Sequence, residues 1–265
     1  MAGFLYSLFL FFEQRDNQTK LCDIDTELLA LCLDKEENGA PYYAIYSICT
    51  VYDILPDKAL KMLLISKEKN AFYYANWPSE KDIKQTFTNI EAAAFGDVKD
   101  EGRANETAAF CASLKKLDSV VSGYFPIDKN VKFNYEDTFG AKRTYGGDRT
   151  HEGLDIICDK GTKVYSICDG VVIKTGWNNL GGFRILIRDN YGLEFYYAHL
   201  SKYAAGLKVG DEVKRGQFIA YSGDTGYGKI GTSGKFIAHL HFGIYENGEA
   251  VNPYFFIRQC QKNEK

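Results

Sequence analysis

The sequence predicts an α+β protein in which an N-terminal helical domain precedes an antiparallel β-sheet domain. Glycine marks the division, because residues 1–130 contain five of the 25 glycines and residues 131–265 contain the other twenty. In the first half apolar residues recur every three or four positions, as on amphipathic helices, whereas in the second half they alternate, as on strands. We place the helical domain at residues 1–125 and the β domain at residues 131–260.

The first half contains several predicted helices. Apolar segments cover Thr26–Leu33 and Tyr42–Leu55, and Pro56 stands in the first turn of a third helix, where proline is tolerated. Ser79 can cap a fourth helix, and Asn105 a fifth. The apolar stripes of these last two helices contain Ile83, Phe87, Ile90 and Ala94, and then Ala108, Cys111, Leu114, Leu117 and Val121. Such stripes are typical of core-facing surfaces, and we find no candidate catalytic residue among them.

The first twelve residues (1–12) are largely apolar. The run is too short to span a bilayer, which takes about 20 residues, and it lacks the basic segment and cleavage site of a signal peptide. One interpretation is the remnant of a membrane anchor, so that the protein associates with a membrane through its N-terminus. The alternative is a buried or interfacial first helix.

Composition excludes one class of partner and one class of scaffold. The net charge is -3 and positive charges are not clustered, so we expect no nucleic acid partner. Seven cysteines with no CxxC pair argue against a disulfide scaffold in a chain of this length. Cys158 and Cys168 flank a predicted turn and could face each other across a hairpin. We expect a monomer.

Alternating segments and turn residues outline the β domain. Two β runs in Thr162–Ile173 join around Asp169-Gly170, and Phe183–Arg188 forms a further run. Asn190-Tyr191-Gly192 predicts a turn that leads into a strand over Leu193–His199. Two more turns are predicted at Lys208–Asp211 and Lys214–Gln217.

All four histidines lie in three short segments of this domain. His151 and Asp155 are four residues apart, and His239 and His241 two apart, so each pair shares one face of a strand. His199 ends a third strand. Catalytic zinc takes three protein ligands and leaves one position open, so these five residues predict a metal site with two further catalytic imidazoles. The spacing does not decide which residue has which role.

A helical zinc motif is a weaker reading of the same residues. His151-Glu152 begins like HExxH, but the fifth residue is Asp155, and Gly153 lies between them. Glu152 is therefore a poor candidate for the base of a helix-borne metalloprotease.

Four segments extend this pattern: RTYGGDRTHEGLDI, DKGTKVYSICDGVV, YYAHLSKYAAGLKVGDEVKRGQFIAYSGDTG and HLHFGIY followed by VNPY. Over about residues 134–256 the sequence resembles the lysostaphin/LytM-type zinc metalloendopeptidases of bacterial cell walls. The resemblance implies a lysostaphin-like β fold of the duplicated-hybrid or barrel-sandwich type with a zinc groove. It implies one Zn²⁺ ion held by His151, Asp155 and His241, and catalysis by His239 and His199. The resemblance does not extend to the N-terminal half.

The function implied by the resemblance is hydrolysis of peptide cross-links or bridges in bacterial peptidoglycan. The enzyme would act outside the cytoplasm, in the cell wall or anchored on the outer face of the cytoplasmic membrane. His239 would be the general base, and His199 would stabilise the carbonyl oxygen, although the two roles could be exchanged. Tyr145, Tyr196 and the loop Tyr227–Ala238 are candidates for the groove wall.

Two alternatives stay open. One is a noncatalytic scaffold of the same fold that binds cell wall or activates another hydrolase. The other is an active peptidase tethered to a membrane as a sporulation or division component.

Overall fold

The computed structural model describes residues 19–35, 41–68, 101–144 and 148–263, which divide between two compact units, residues 1–115 and 116–265. The predicted helix after Ser79, the apolar segment 1–12 and the wall candidate Tyr145 lie outside the described residues. Within the described part of the chain, no helix is long and apolar enough to cross a membrane.

The first unit is helical in its described residues. A 3₁₀ turn at Leu21–Asp23 precedes four helices, which are α1 (Thr26–Asp34), α2 (Tyr42–Tyr52), α3 (Pro56–Glu68) and α4 (Glu101–Ser113). Asp25 caps α1, because its carboxylate accepts hydrogen bonds of 3.0 Å from the amides of Glu27 and Leu28. Helix α2 contacts α1, α3 and α4 and is buried along most of its length. It therefore forms the centre of this unit.

One predicted helix start is wrong. Asn105 lies inside α4, which already includes Glu101, so Asn105 does not cap it. The predicted stripe is nevertheless buried from Ala108 to Val121. The last residues of this stripe lie on a 3₁₀ turn at Leu114–Leu117 and on a short helix α5 (Asp118–Val121).

The second unit is built on an antiparallel sheet. Its strands are β1 (Phe133–Asn134), β2 (Lys142–Arg143), β3 (Arg149–Thr150), β4 (Leu154–Cys158), β5 (Lys163–Tyr165), β6 (Gly170–Asn178), β7 (Gly182–Arg188), β8 (Glu194–Leu200), β9 (Lys202–Tyr203), β10 (Glu212–Val213), β11 (Phe218–Tyr221), β12 (His239–Glu246) and β13 (Glu249–Val251). The large sheet has the order β1-β4-β12-β8-β7-β6-β10, with β13 paired to β12. A smaller sheet has the order β5-β11-β9, and β2 pairs with β3.

The final helix α6 (Tyr254–Asn263) packs against α5. The Asn263 side-chain amide donates a 2.7 Å hydrogen bond to the Val121 carbonyl, and the Cys260 thiol lies 3.2 Å from the Val120 carbonyl. Because of these contacts α5 belongs with the β unit. The boundary between the units therefore falls before residue 125, the end we predicted for the helical domain.

The large sheet has one apolar face and one polar face. Leu240, Phe242 and Ile244 alternate along β12 and are fully buried, as are Phe195 and Tyr197 on the adjacent β8. These residues form the core of the unit. The intervening residues of the same strands face a groove, and that alternation places the polar side chains of several strands together.

Cys158 and Cys168, which by their sequence positions could face each other across a hairpin, do not do so. Cys158 ends β4, which pairs with β1 and β12, while Cys168 precedes β6, which pairs with β7 and β10. No hairpin joins them, and both thiols are free and buried.

Candidate metal centre

Three potential metal ligands meet at one end of the groove. Nε2 of His151 lies 3.0 Å from Oδ1 of Asp155 and 3.0 Å from Nδ1 of His241. Nδ1 of His241 lies 2.9 Å from the same carboxylate oxygen. The three atoms therefore form a nearly equilateral triangle, as expected for side chains that converge on one cation.

Strand register brings these residues together. Asp155 on β4 is the direct cross-strand partner of His241 on β12. His151, which we predicted to share a strand with Asp155, instead lies just after β3 and before β4. Its Nδ1 atom is 3.0 Å from the carbonyl oxygen of Thr138. Because a carbonyl only accepts hydrogen bonds, Nδ1 carries the proton and the Nε2 lone pair faces the cluster.

Asp155 is held in its ionised form. Burial alone would raise its pKa, but the adjacent His151 and His241 side chains outweigh that effect, and the pKa lies well below its usual range. The second oxygen, Oδ2, accepts a 2.7 Å hydrogen bond from Nη2 of Arg143. Arg143 therefore fixes the orientation of the carboxylate while Oδ1 faces the two imidazoles.

The other two histidines lie beside this cluster. Nε2 of His239 is 3.6 Å from Oδ1 of Asp155, and the rings of His199 and His239 are 4.7 Å apart. Nδ1 of His199 donates to the Thr225 carbonyl at 2.7 Å, and Nδ1 of His239 donates to the Ile237 carbonyl at 2.8 Å. In the neutral state both rings therefore present an Nε2 lone pair to the groove.

Burial keeps both imidazoles neutral. It lowers the pKa of His239. For His199, burial and then the nearby His239 and His241 lower the pKa to about 3. Both rings are therefore proton acceptors at neutral pH.

His199 reaches the groove through a β-bulge. Simple alternation would place it on the core side of β8 with Tyr197. Between the pairs Tyr197–Ile185 and Leu200–Phe183, β8 contains one residue more than β7. His199 absorbs this extra residue with φ at +59°, a left-handed conformation that is uncommon for residues other than glycine. The bulge turns its side chain toward the groove.

The groove has a volume of about 680 Å³. Tyr196 lines it, as predicted, and so do Tyr227, Phe236 and Ile237 of the loop that we expected to border it. The ring of Phe236 contacts that of His199, with centroids 4.5 Å apart. The loop therefore forms one wall next to the two histidines.

The triangle fits a zinc ion. Two nitrogens and one carboxylate oxygen are a common donor set for catalytic zinc. Ligands about 2.0–2.1 Å from a tetrahedral zinc stand roughly 3.3 Å from one another, and the observed edges are 2.9–3.0 Å. All three donor atoms converge on the same point, so a cation can bind there with little rearrangement.

The comparison with known families agrees with this site. Residues 149–253 match the model of Peptidase family M23. Residues 149–253, all within the second unit, are an M23 peptidase domain. The M23 match includes all five clustered residues. Four of them lie on β4, β8 and β12, and the fifth is His151.

Relatives of the M23 domain include named cell-wall enzymes. The L-Ala–D-Glu endopeptidase of Bacillus subtilis (strain 168) is 44% identical over 144 residues, which are 53% of this chain and 44% of that protein. Lysostaphin of Staphylococcus simulans is 39% identical over 116 residues, which are 42% of this chain and 22% of that protein. The chain thus spans less than half the length of these relatives.

One solved structure resembles more than the M23 domain. A LytM protein of Ruminococcus gnavus ATCC 29149, assigned as a glycyl-glycine endopeptidase, has a TM-score of 0.53 and 28% sequence identity. The alignment covers 94% of this chain and 92% of that chain. The likeness therefore includes the helical unit, for which the sequence suggested no relative.

Sequence reasoning missed the groups that orient the site. Arg143 lies twelve residues before Asp155, a separation that gives no periodic signal, although it begins the first of the four family-like segments. The carbonyls of Thr138, Thr225 and Ile237 cannot be found from side-chain motifs, because every residue has one.

Proposed function

We propose that this protein is a zinc-dependent endopeptidase that hydrolyses peptide cross-links or bridges of bacterial peptidoglycan. The observation that carries the proposal is the triangle of His151, Asp155 and His241 with two neutral, oriented imidazoles beside it. The M23 domain and its named endopeptidase relatives support the same reaction class.

His151, Asp155 and His241 would hold one Zn²⁺ ion. When bound, zinc supplies Lewis-acid polarisation of the scissile carbonyl and lowers the pKa of bound water. The contacts of Asp155 with Arg143 and of His151 with Thr138 hold the two ligands in position. Such outer contacts commonly affect metal affinity by about 10- to 100-fold.

His239 is the proposed general base. Its Nε2 lone pair lies beside the ligand cluster, and its donor nitrogen is occupied by the Ile237 carbonyl. Nε2 would accept a proton from the attacking water and pass it to the leaving amine. General acid–base catalysis of this kind contributes about 10²–10⁴ in rate.

The tautomer of His199 refines its expected role. A neutral His199 donates through Nδ1 to Thr225 and can only accept at Nε2. It can donate to a carbonyl oxygen only when protonated, so we propose that it acts as an imidazolium whose additional proton comes from solvent. Negative charge developing on the substrate oxygen would stabilise that imidazolium.

The proposed substrate also gives a location. The relatives include a B. subtilis L-Ala–D-Glu endopeptidase and lysostaphin. If this chain acts on peptidoglycan, it works outside the cytoplasm, in the cell wall or at the outer face of the membrane. The monomeric state and an association with the membrane through residues 1–12 remain predictions.

Digestion of defined muropeptides tests the proposal. Protein loaded with zinc, stripped with a chelator and then reloaded would be incubated with each peptide, and mass spectrometry would identify the cleaved bond. We expect peptide-bond cleavage that disappears with chelator and returns with zinc. A protein that binds zinc but cleaves no muropeptide contradicts the proposal and favours the noncatalytic scaffold.

A further inference from the structure

Two cations of the groove have no acidic partner among the described residues. Lys174 on β6 and Arg184 on β7 both line the groove, and neither forms an ion pair there. Nε of Arg184 is buried and has no hydrogen-bond partner. Burying part of a guanidinium without satisfying it is costly, so a ligand that accepts from Arg184 would stabilise this arrangement.

The other charged groups that line the groove are already engaged or lie elsewhere. Arg143 is paired with Asp155, and Arg149 donates to the Tyr227 hydroxyl at 3.2 Å. Glu194 is paired with Arg188, at 3.1 Å from its Nε. Glu152 is exposed and lies near Tyr245, whose hydroxyl is 3.5 Å from its carboxylate. The β6–β7 end of the groove therefore has unneutralised positive charge.

Strand register gives the distance from these cations to the metal centre. His241 on β12 pairs with Ala198 on β8, and Arg184 lies on the next strand, β7, opposite the bulge that contains Ala198. Two strand spacings place the backbone of Arg184 about 10 Å from that of His241, and Lys174 on β6, three spacings away and two residues further along, is about 16 Å away. An extended peptide covers 10 Å in about three residues.

Tyr196 lies in the groove with both the metal centre and Arg184. Its ring packs edge-on against His241, with centroids 5.9 Å apart. The cross-strand neighbour of Arg184 is Gly176, which has no side chain to cover the guanidinium. A peptide bound across the sheet at the metal centre would thus extend over Tyr196 toward an open, positively charged end.

We propose that Lys174 and Arg184 form a carboxylate-binding subsite that selects an anionic peptide, with the recognised carboxylate two to three residues from the scissile bond. The inference rests on the proposed peptidase function and narrows its substrate. A bridge composed of glycines offers no side-chain carboxylate at this distance. A stem peptide with acidic residues does, and its carboxylate would accept the unpaired donors of Arg184.

The experiment compares synthetic cell-wall stem peptides in matched forms, in which one free carboxylate at a time is converted to the carboxamide. We expect one carboxylate to raise kcat/KM by about 10-fold or more over its carboxamide, since hydrogen bonds to charged groups are worth at least that much. Arg184→Gln and Lys174→Gln should shrink this ratio toward one. Lys208→Gln removes the same charge from an exposed turn outside the groove and should keep the ratio.

Two results would overturn the subsite. One is a wild-type protein that cleaves every carboxylate and carboxamide pair at equal kcat/KM, and the other is an Arg184→Gln variant that keeps the wild-type ratio. If the wild type cleaves no peptide at all, the peptidase proposal fails. Calorimetry with the same peptides then tests the subsite separately from cleavage. The subsite requires that the wild type binds the carboxylate form more tightly than the carboxamide form and that Arg184→Gln loses this preference.

Discussion

Gly153 sets the position of a metal ligand through close packing. A Cβ atom at this residue would lie 2.7 Å from Cε1 and 2.8 Å from Nε2 of the His241 ring, and 2.5 Å from the backbone carbonyl oxygen of Phe242. Ordinary contact begins near 3.4 Å. Gly153→Ala therefore has to displace the ring or β12 by about 0.7 Å.

That displacement is large for a metal site, in which ligand distances hold to about 0.2 Å. Moving the ring alone does not relieve the overlap, because the Phe242 carbonyl oxygen of the same strand also lies 2.5 Å from the added Cβ. We expect Gly153→Ala to lower zinc affinity by at least about 10-fold, the smaller effect of disturbing the contacts around a metal ligand.

Competition with a chromogenic chelator measures the affinity, and metal analysis after dialysis gives the stoichiometry. Gly248→Ala is the control. It lies in the turn after β12 with φ at +83° and has nothing within 4 Å of the added Cβ, so it strains the backbone by about 1–2 kcal/mol without touching the site. A Gly153→Ala protein that binds zinc as tightly as the wild type would refute this reasoning.

Three further predictions concern positioning, pH and burial. Arg143→Gln should lower zinc affinity by about 10- to 100-fold through loss of its bond to Asp155, whereas Lys142→Gln on the same strand should not, and chelator competition compares them. In the chelated protein the pKa of His199 is about 3 against 6.5 for the free side chain. The unfolded chain therefore binds more protons between these values, and the free energy of unfolding in urea should fall as the pH drops through that window, less steeply in His199→Asn. Lys116 and Glu246 form an ion pair with side chains only 10% and 12% exposed. Lys116→Met should lower the free energy of unfolding by about 3–5 kcal/mol, and a Lys116→Met/Glu246→Leu double variant should recover most of it in chemical denaturation.

The grouping of His239 and His241 could be predicted because their spacing matches the geometry of a sheet. His239 and His241 are two apart on one strand, and the alternation of β12 puts both on the groove face. The burial of the apolar stripe from Ala108 to Val121 could also be predicted, since burial follows the periodicity of the sequence even where the helix changes into a 3₁₀ turn.

Other features depend on contacts that sequence spacing does not record. Alternation alone would place the His199 side chain on the core side of the sheet. A one-residue bulge turns it toward the groove instead. The cap expected at Asn105 failed because α4 already includes Glu101, and a polar residue inside a helix resembles a cap in sequence. Cys158 and Cys168 looked like hairpin partners, but their strands pair with distant segments of the chain.

The division of labour among the histidines is tested most directly by measuring zinc content and hydrolytic rate together in His239→Ala. His239 lies beside the ligand triangle but is not one of its three corners. The variant should keep one equivalent of zinc and lose about 10²–10⁴ in kcat on a cleaved muropeptide. A variant that keeps its zinc and the full wild-type rate would contradict the assignment of His239 as general base.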